Sequence, residues 1–237
     1  MSQSANKSHA EDDIPQQPAA RAPGTVLIDA CPRVLGPYAV WGKRVFDMVV
    51  AVCVAIALAP IALLVALAIY ASNRKAPIFY RQIRVGQWGK PFMMYKFRTM
   101  NPDRRGDYLG EEGFDGSDRR HTHKTDKDPR HTRLGRILRK TSLDELPQLY
   151  NVLNGTMSLV GPRPEILSIA EKYEIRNHAR HMVRPGITGL WQISELRSQL
   201  LHENVHIDLD YVKKVTLMQD FKILIGTVGA VLGSRGK

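Results

Sequence analysis

The stretch MVVAVCVAIALAPIALLVALAIYA, Met48 to Ala71, decides the architecture: 24 consecutive residues carry no charge, and almost all are Val, Ala, Ile or Leu. At about 1.5 Å per residue, a straight helix of this length spans a hydrocarbon core of roughly 30 Å. A buried soluble helix, hydrophobic all round, is the bland alternative, and the length argues against it. A secretory signal fits poorly too. Its apolar region is shorter and starts near the terminus, whereas this one follows more than forty residues of other sequence. Pro60 falls in the middle of the stretch, and Lys43, Arg44, Arg74 and Lys75 flank it on both sides, so positive charge gives no orientation. Proline removes a backbone donor and kinks a helix, which lets the chain enter one leaflet and leave by the same face. Spanning helices tolerate proline as well. The residues alone leave re-entrant and spanning forms equally open.

Upstream, residues 1–42 are rich in Pro, Ala, Gln and Ser and carry a net charge of −1, while the whole chain of 237 residues carries +11. The spacing predicts disorder over residues 1–24 and a loosely ordered lead-in to Gly42. The strongly basic remainder calls for an anionic partner: nucleic acid, an anionic membrane or a phosphorylated substrate. Two cysteines, Cys31 and Cys53, are too few for a disulfide framework or a cysteine-rich zinc site. Downstream, Ile78 to Arg84 and Phe92 to Arg98 flank a turn region with Gly86, Gly89 and Pro91, which reads as a β-hairpin. Residues 101–131 read as a long mobile loop holding His121, His123 and His131, expected to be surface residues. Arg133 to Lys140 puts Leu134, Ile137 and Leu138 on one face and four cations mostly on the other, a basic amphipathic helix suited to a membrane interface, with a solvated charged face over a soluble core as the alternative. Phe221 to Leu232 reads as a surface-lying terminal helix. Trp41, Trp88 and Trp191 fit a membrane interface, core packing being an equal option for Trp191. The fold class is therefore α+β, mainly helical: an N-terminal membrane helix, a small β-hairpin and amphipathic interfacial helices. No glycine-rich nucleotide fingerprint or Walker-type loop is present.

Chemistry concentrates in Thr141 to Leu149, TSLDELPQL, where adjacent carboxylates follow the basic helix. Ser142 and Glu145 have capping-box spacing, so one reading is a plain helix start. The other reading uses the same geometry, since a carboxylate at such a turn can be nucleophile, base or magnesium ligand. Gly161-Pro162-Arg163-Pro164 and Arg184-Pro185-Gly186-Ile187-Thr188-Gly189 each set an arginine in a proline-stiffened loop, and arginine offers a rigid fork for phosphate oxygens.

Lys43-Arg44 with Asp47, Lys96-Phe97-Arg98-Thr99-Met100, Ser142 to Leu149, Asn151-Val152-Leu153 and the two arginine loops together resemble the bacterial sugar transferase family, over residues 43 to about 233. These are monotopic phosphoglycosyl transferases of the bacterial inner membrane. The resemblance implies a re-entrant helix over 43–75, turned at Pro60, with both ends cytosolic, and a catalytic domain over 76–237 resting on the cytosolic face. It implies transfer of a sugar 1-phosphate from a nucleotide diphosphosugar, a UDP-sugar by expectation, to polyprenyl phosphate, as the first membrane step of exopolysaccharide or other surface-glycan synthesis. Asp144 would be the nucleophile, forming an aspartyl-phosphosugar, and Glu145 its partner, the two holding Mg²⁺. Lys96, Arg139, Arg163, Arg184 and Asp208 match other site positions, read as substrate phosphate-binding. Family members often have Ser before the membrane proline; here it is Ala59. Nucleic acid is not an expected partner. A membrane-tethered basic nucleic-acid-binding protein without catalysis is the rival from another class, distinguished by salt-sensitive retention on DNA or RNA.

Overall fold

The computed structural model describes residues 36–101, 131–195 and 204–232. The expectations for residues 1–24, for the loop between Asn101 and His131, and for His121 and His123 lie outside the described residues. A π-helical turn, Tyr38–Gly42, leads straight into helix α1, Lys43–Ser72. Among the described residues, this is the one helix long and apolar enough to cross a membrane. It continues through Pro60 without interruption. The sequence suggested a break there, but proline withholds only its own N–H, and the turns on either side keep their hydrogen bonds.

The buried residues of α1 are Lys43, Asp47 and Ala51 at its start and Val65 and Ile69 near its end. At 3.6 residues per turn all five lie on one face. The other faces carry Val45, Val49, Ile56, Leu63, Leu64 and Leu67 uncovered. Both ends of α1 pack on the same body. Ala51 joins the main core with Met94, Val152, Met157, Val160, Met182, Tyr211 and Ile223, whereas Val65 and Ile69 join a second cluster with Phe97 and Leu138. One strand reaches both clusters, through Met94 and Phe97.

That strand belongs to the expected hairpin: β1, Phe79–Val85, pairs antiparallel with β2, Pro91–Phe97, in the register Phe79 with Phe97 and Ile83 with Met93. The basic helix α2, Arg133–Lys140, forms where the pattern placed it, capped by the Thr132 hydroxyl, which accepts from the Gly135 N–H at 2.9 Å. It buries Leu138 and leaves Ile137 uncovered among its cations. Gly135 is required, since a β-carbon there would lie 1.9 Å from the Thr99 carbonyl oxygen. Helix α3, Gln148–Leu153, follows the acidic turn. Strand β3, Ser158–Val160, then pairs in parallel with β4, Gly186–Thr188. Short helices α4, Leu167–Lys172, and α5, Leu190–Ile193, precede α6, Val205–Lys213, and α7, Leu217–Leu232. The α+β class and the helical predominance stand as read.

Helix α7 presents Leu217, Phe221, Ile225 and Val228 as an uncovered stripe at helical spacing, and its Phe221 ring lies 5.4 Å from Phe46 of α1. The apolar stripe thus continues the uncovered surface of α1.

Of the flanking cations read from the sequence, Lys43 and Arg44 are not free charges, whereas Arg74 and Lys75 are exposed. Lys43 is 7% exposed and gives its ammonium to Asp220 Oδ2 at 2.7 Å. Tyr38 donates to the same oxygen and Tyr211 to Oδ1. Asp47 accepts from the Ser158 hydroxyl at 2.7 Å and the Leu159 N–H at 3.2 Å. Arg44 donates to the carbonyls of Val152 and Leu153, covering the open end of α3. A charge at the end of an apolar segment looks like a lipid anchor only until the rest of the chain supplies buried partners for it.

Candidate active site

Strand period places the first functional residue. Met94 points into the core, and two residues on Lys96 reaches Glu145 Oε1 at 2.6 Å. Two further, Arg98 donates to the carbonyls of Ile69, Asn73 and Pro77 and so caps the outgoing end of α1. The unpaired edge of β2 is covered by Asn151, whose amide donates to Met93 O at 2.8 Å and accepts from Tyr95 N at 3.1 Å. Lys96 is thereby fixed against α3 and the acidic turn that precedes it.

The acidic pair occupies a 3₁₀ turn, Leu143–Glu145. The capping box does not form. Ser142 is left-handed at φ 57° and makes no side-chain cap bond, and the Glu145 carboxylate is taken by Lys96 instead. Leu143 and Leu146 anchor the turn in the second cluster. Asp144 is 9% exposed, and its carboxylate makes no hydrogen bond or ion pair to a described residue. Burial pushes its pKa from the ordinary 3.8 up to about 6, and Glu145 adds to the rise against the pull of Lys96, Arg139 and Arg163. Burial acts the same way on Glu145, yet Lys96 and Arg163 outweigh it and hold that carboxyl below its usual range. The neighbours thus have opposite characters, one engaged and one available.

Arg163 enters from the loop after β3. Its Nη1 lies 3.9 Å from Glu145 Oε1, and its guanidinium sits over the Trp191 ring at 5.9 Å. Trp191 is buried, in keeping with its packing option. The two arginine loops meet through glycines: a β-carbon on Gly186 would lie 2.1 Å from the Gly161 nitrogen. Arg139, at the end of α2, bears on Asp144 electrostatically and contacts His131, which bridges to Met100.

Lys96, Arg139, Asp144, Glu145 and Arg163 therefore converge, while two residues read with them lie elsewhere. Arg184 is half-buried near Arg44 and Asp47, where burial and the Arg44 guanidinium lower its pKa against the pull of Asp47. Asp208, 1% exposed, is paired with the fully buried Arg180. Sequence reading missed Arg84, whose charge also bears on Glu145 and whose Nη1 donates to Pro164 O at 3.0 Å. Its only trace was an arginine in a strand next to the hairpin turn. Arg180 left no trace at all.

The carboxylate pair can hold a hard divalent cation. Both oxygens of Asp144 and Oε2 of Glu145 are uncommitted to described residues. Ions such as Mg²⁺ are usually held by one or two carboxylates, with water and substrate phosphate completing the shell. Among the described residues, no cluster of three or more ligating side chains offers a self-sufficient cage.

Comparison with known proteins gives a family model described as bacterial sugar transferase that matches residues 38–234. The exopolysaccharide production protein ExoY of Sinorhizobium fredii is 41% identical over 199 residues, covering 82% of this chain and 87% of that protein. The UDP-glucose:undecaprenyl-phosphate glucose-1-phosphate transferase of Caulobacter vibrioides is 41% identical over 198 residues, 80% of this chain and 69% of its own length. The undecaprenyl-phosphate galactose phosphotransferase of Salmonella typhimurium is 40% identical over 197 residues, 82% of this chain and 41% of its own.

Proposed function

The chain belongs to the bacterial sugar transferase family, and from that premise we propose that it transfers a sugar 1-phosphate from a UDP-sugar to undecaprenyl phosphate through a covalent intermediate on Asp144. The names of its relatives supply the two substrates and, with ExoY, the link to exopolysaccharide. The observation that carries the choice of nucleophile is the contrast within the acidic pair. Glu145 is committed to Lys96 at 2.6 Å, whereas Asp144 is buried, uncommitted and ionised at neutral pH. A carboxylate desolvated in this way is a better nucleophile than one in a salt bridge.

In the first half-reaction an Asp144 oxygen attacks the β-phosphorus of the UDP-sugar. The bond to the bridging oxygen breaks, and UMP leaves with that electron pair. In the second, an oxygen of undecaprenyl phosphate attacks the same phosphorus and releases the Asp144 carboxylate. Lys96, Arg163 and Arg139 offset charge on the phosphoryl oxygens from fixed positions, which costs little reorganisation. Asp144 and Glu145 would hold Mg²⁺, which supplies charge neutralisation for the diphosphate.

The membrane part of the proposal is that α1 does not cross the bilayer but leaves both its ends on the cytosolic face of the inner membrane. Support comes from the single body on which both ends pack, because a helix crossing the bilayer puts its ends in different compartments about 30 Å apart. With Cys31 and Cys53 replaced by serine, single cysteines at Trp41 and Lys75 are expected to react with an impermeant maleimide from the same side of sealed vesicles. Reaction from opposite sides sinks the re-entrant form. Pro60→Leu restores a backbone donor and should shift labelling towards the spanning pattern.

The reaction is tested by incubating detergent-solubilised protein with Mg²⁺, undecaprenyl phosphate and a panel of nucleotide sugars. Steady UMP release with a UDP-sugar is expected when lipid acceptor is present, and at most one equivalent per enzyme without it. No release from any member of the panel, together with salt-sensitive retention on nucleic acid, would favour the rival binding reading.

A further inference from the structure

Prolines at 162 and 164 leave the arginine loop short of N–H groups, and beyond the Gly161 N–H, which donates to Thr188 O at 2.9 Å, it is fastened by its carbonyls. Four successive ones are held, each by a different donor. Pro162 O accepts from Gly186 N at 2.9 Å, Arg163 O from Arg180 Nη2 at 2.7 Å, Pro164 O from Arg84 Nη1 at 3.0 Å, and Glu165 O from Val85 N at 2.9 Å. Arg180 is wholly buried and is aimed by Asp208, whose Oδ2 accepts from Nε at 2.9 Å and from Nη2 at 2.6 Å.

This ion pair is a poor choice for stability alone. Two charges are taken out of water, while Nη1 of Arg180 and Oδ1 of Asp208 find no partner among the described residues. Replacing such a pair by packed apolar side chains is often neutral or stabilising. An apolar pair, however, could not donate to a carbonyl. From this geometry we infer that Arg180 and Asp208 are positioning residues for the transfer reaction: Asp208 orients Arg180, Arg180 holds the Arg163 carbonyl, and the clamped loop directs the Arg163 guanidinium at the Glu145 carboxylate. The phosphate-facing role read from the sequence for Asp208 is replaced by one exerted through two intermediaries. The inference rests on the proposed site, in that Arg163 must act beside Asp144 and Glu145.

The test is a double-mutant cycle on the full chain in detergent, with kcat/KM for UMP release and melting temperature both measured. Arg180→Lys keeps the charge but loses the forked geometry, and it is expected to lower kcat/KM by about 10- to 100-fold, the size expected of a misplacement near 1 Å. In the Arg163→Ala background the same change should cost less than about threefold, because no guanidinium remains to be placed. Its effect on melting temperature should be equal in the two backgrounds. Equal fold losses in activity in both backgrounds would overturn the inference and leave a purely structural pair. Asp208→Asn, which keeps shape, is read in the same cycle and decides the matter should Arg180→Lys fail to fold. If Arg163→Ala alone leaves activity intact, the proposed site itself fails; if it cripples the enzyme and the cycle is additive, only the positioning role fails.

Discussion

Asp144→Asn is expected to abolish UMP release and, in a metal-free buffer at pH 7.5, to make the protein more stable than the parent. Both effects come from the same burial. The asparagine keeps the shape but has no anionic oxygen to attack phosphorus, so no labelled sugar phosphate should remain on the chain after quenching without lipid acceptor. The stability gain follows from the direction of the pKa shift. Asp144 is raised from 3.8 to about 6, so its favourable contribution is complete below about pH 4, where the carboxyl is neutral in both states, and is lost as pH rises through about 6. Above that, ionising it in place costs about 3 kcal/mol more than ionising a free carboxyl. The amide escapes this cost, and Lys96 keeps Glu145 as its partner. The parent's stability should therefore fall relative to the variant between pH 4 and pH 6.5, while its rate of transfer rises over the same interval. Denaturant melts across that range check the first, and initial rates the second. A variant no more stable than the parent at pH 7.5, or one that still accumulates adduct, contradicts the role of Asp144.

Asp220→Ala is the change expected to damage the fold most. The Asp220 carboxylate is fully buried and accepts from Lys43 at 2.7 Å, Tyr38 at 2.7 Å and Tyr211 at 2.8 Å. Its removal leaves the Lys43 ammonium facing only Asp47 at 3.6 Å and strands the Tyr38 hydroxyl, while Tyr211 keeps the Val160 carbonyl. Breaking one side of a buried pair costs about 3–5 kcal/mol, a large share of the stability of an ordinary domain. The start of α1 should come loose from α7, seen as faster proteolysis between them and a lower denaturation midpoint in detergent. Lys43→Met combined with Asp220→Leu should recover part of the loss, since no uncompensated charge then remains. A single variant within about 1 kcal/mol of the parent would show that this network does not fasten α1.

Residues whose meaning depends on near neighbours were legible in the chain itself. The apolar run gave α1, alternation and glycines gave the hairpin, and period 3.6 with clustered cations gave α2, because each pattern spans one element and reports which side avoids water. The acidic pair and Arg163 were found as residue types in local settings, whereas Lys96 was marked only by the family resemblance. Tertiary structure alone decided what those residues touch. Ser142 and Glu145 had the spacing of a cap, yet Lys96, forty-nine positions earlier, took the carboxylate, since a partly buried ion pair outcompetes a local bond that an exposed serine can exchange for water. Lys43 read only as a charge flanking the apolar stretch, and it is Asp220, 177 positions on, that pairs with it in the interior. Asp208 resembled a ligand of phosphate until Arg180 claimed it, and Arg84 and Arg180 stayed invisible because one arginine in a sequence looks like any other. Periodicity records burial against water; the choice of partner for a buried charge is made by contacts distant in sequence, and no local pattern encodes it.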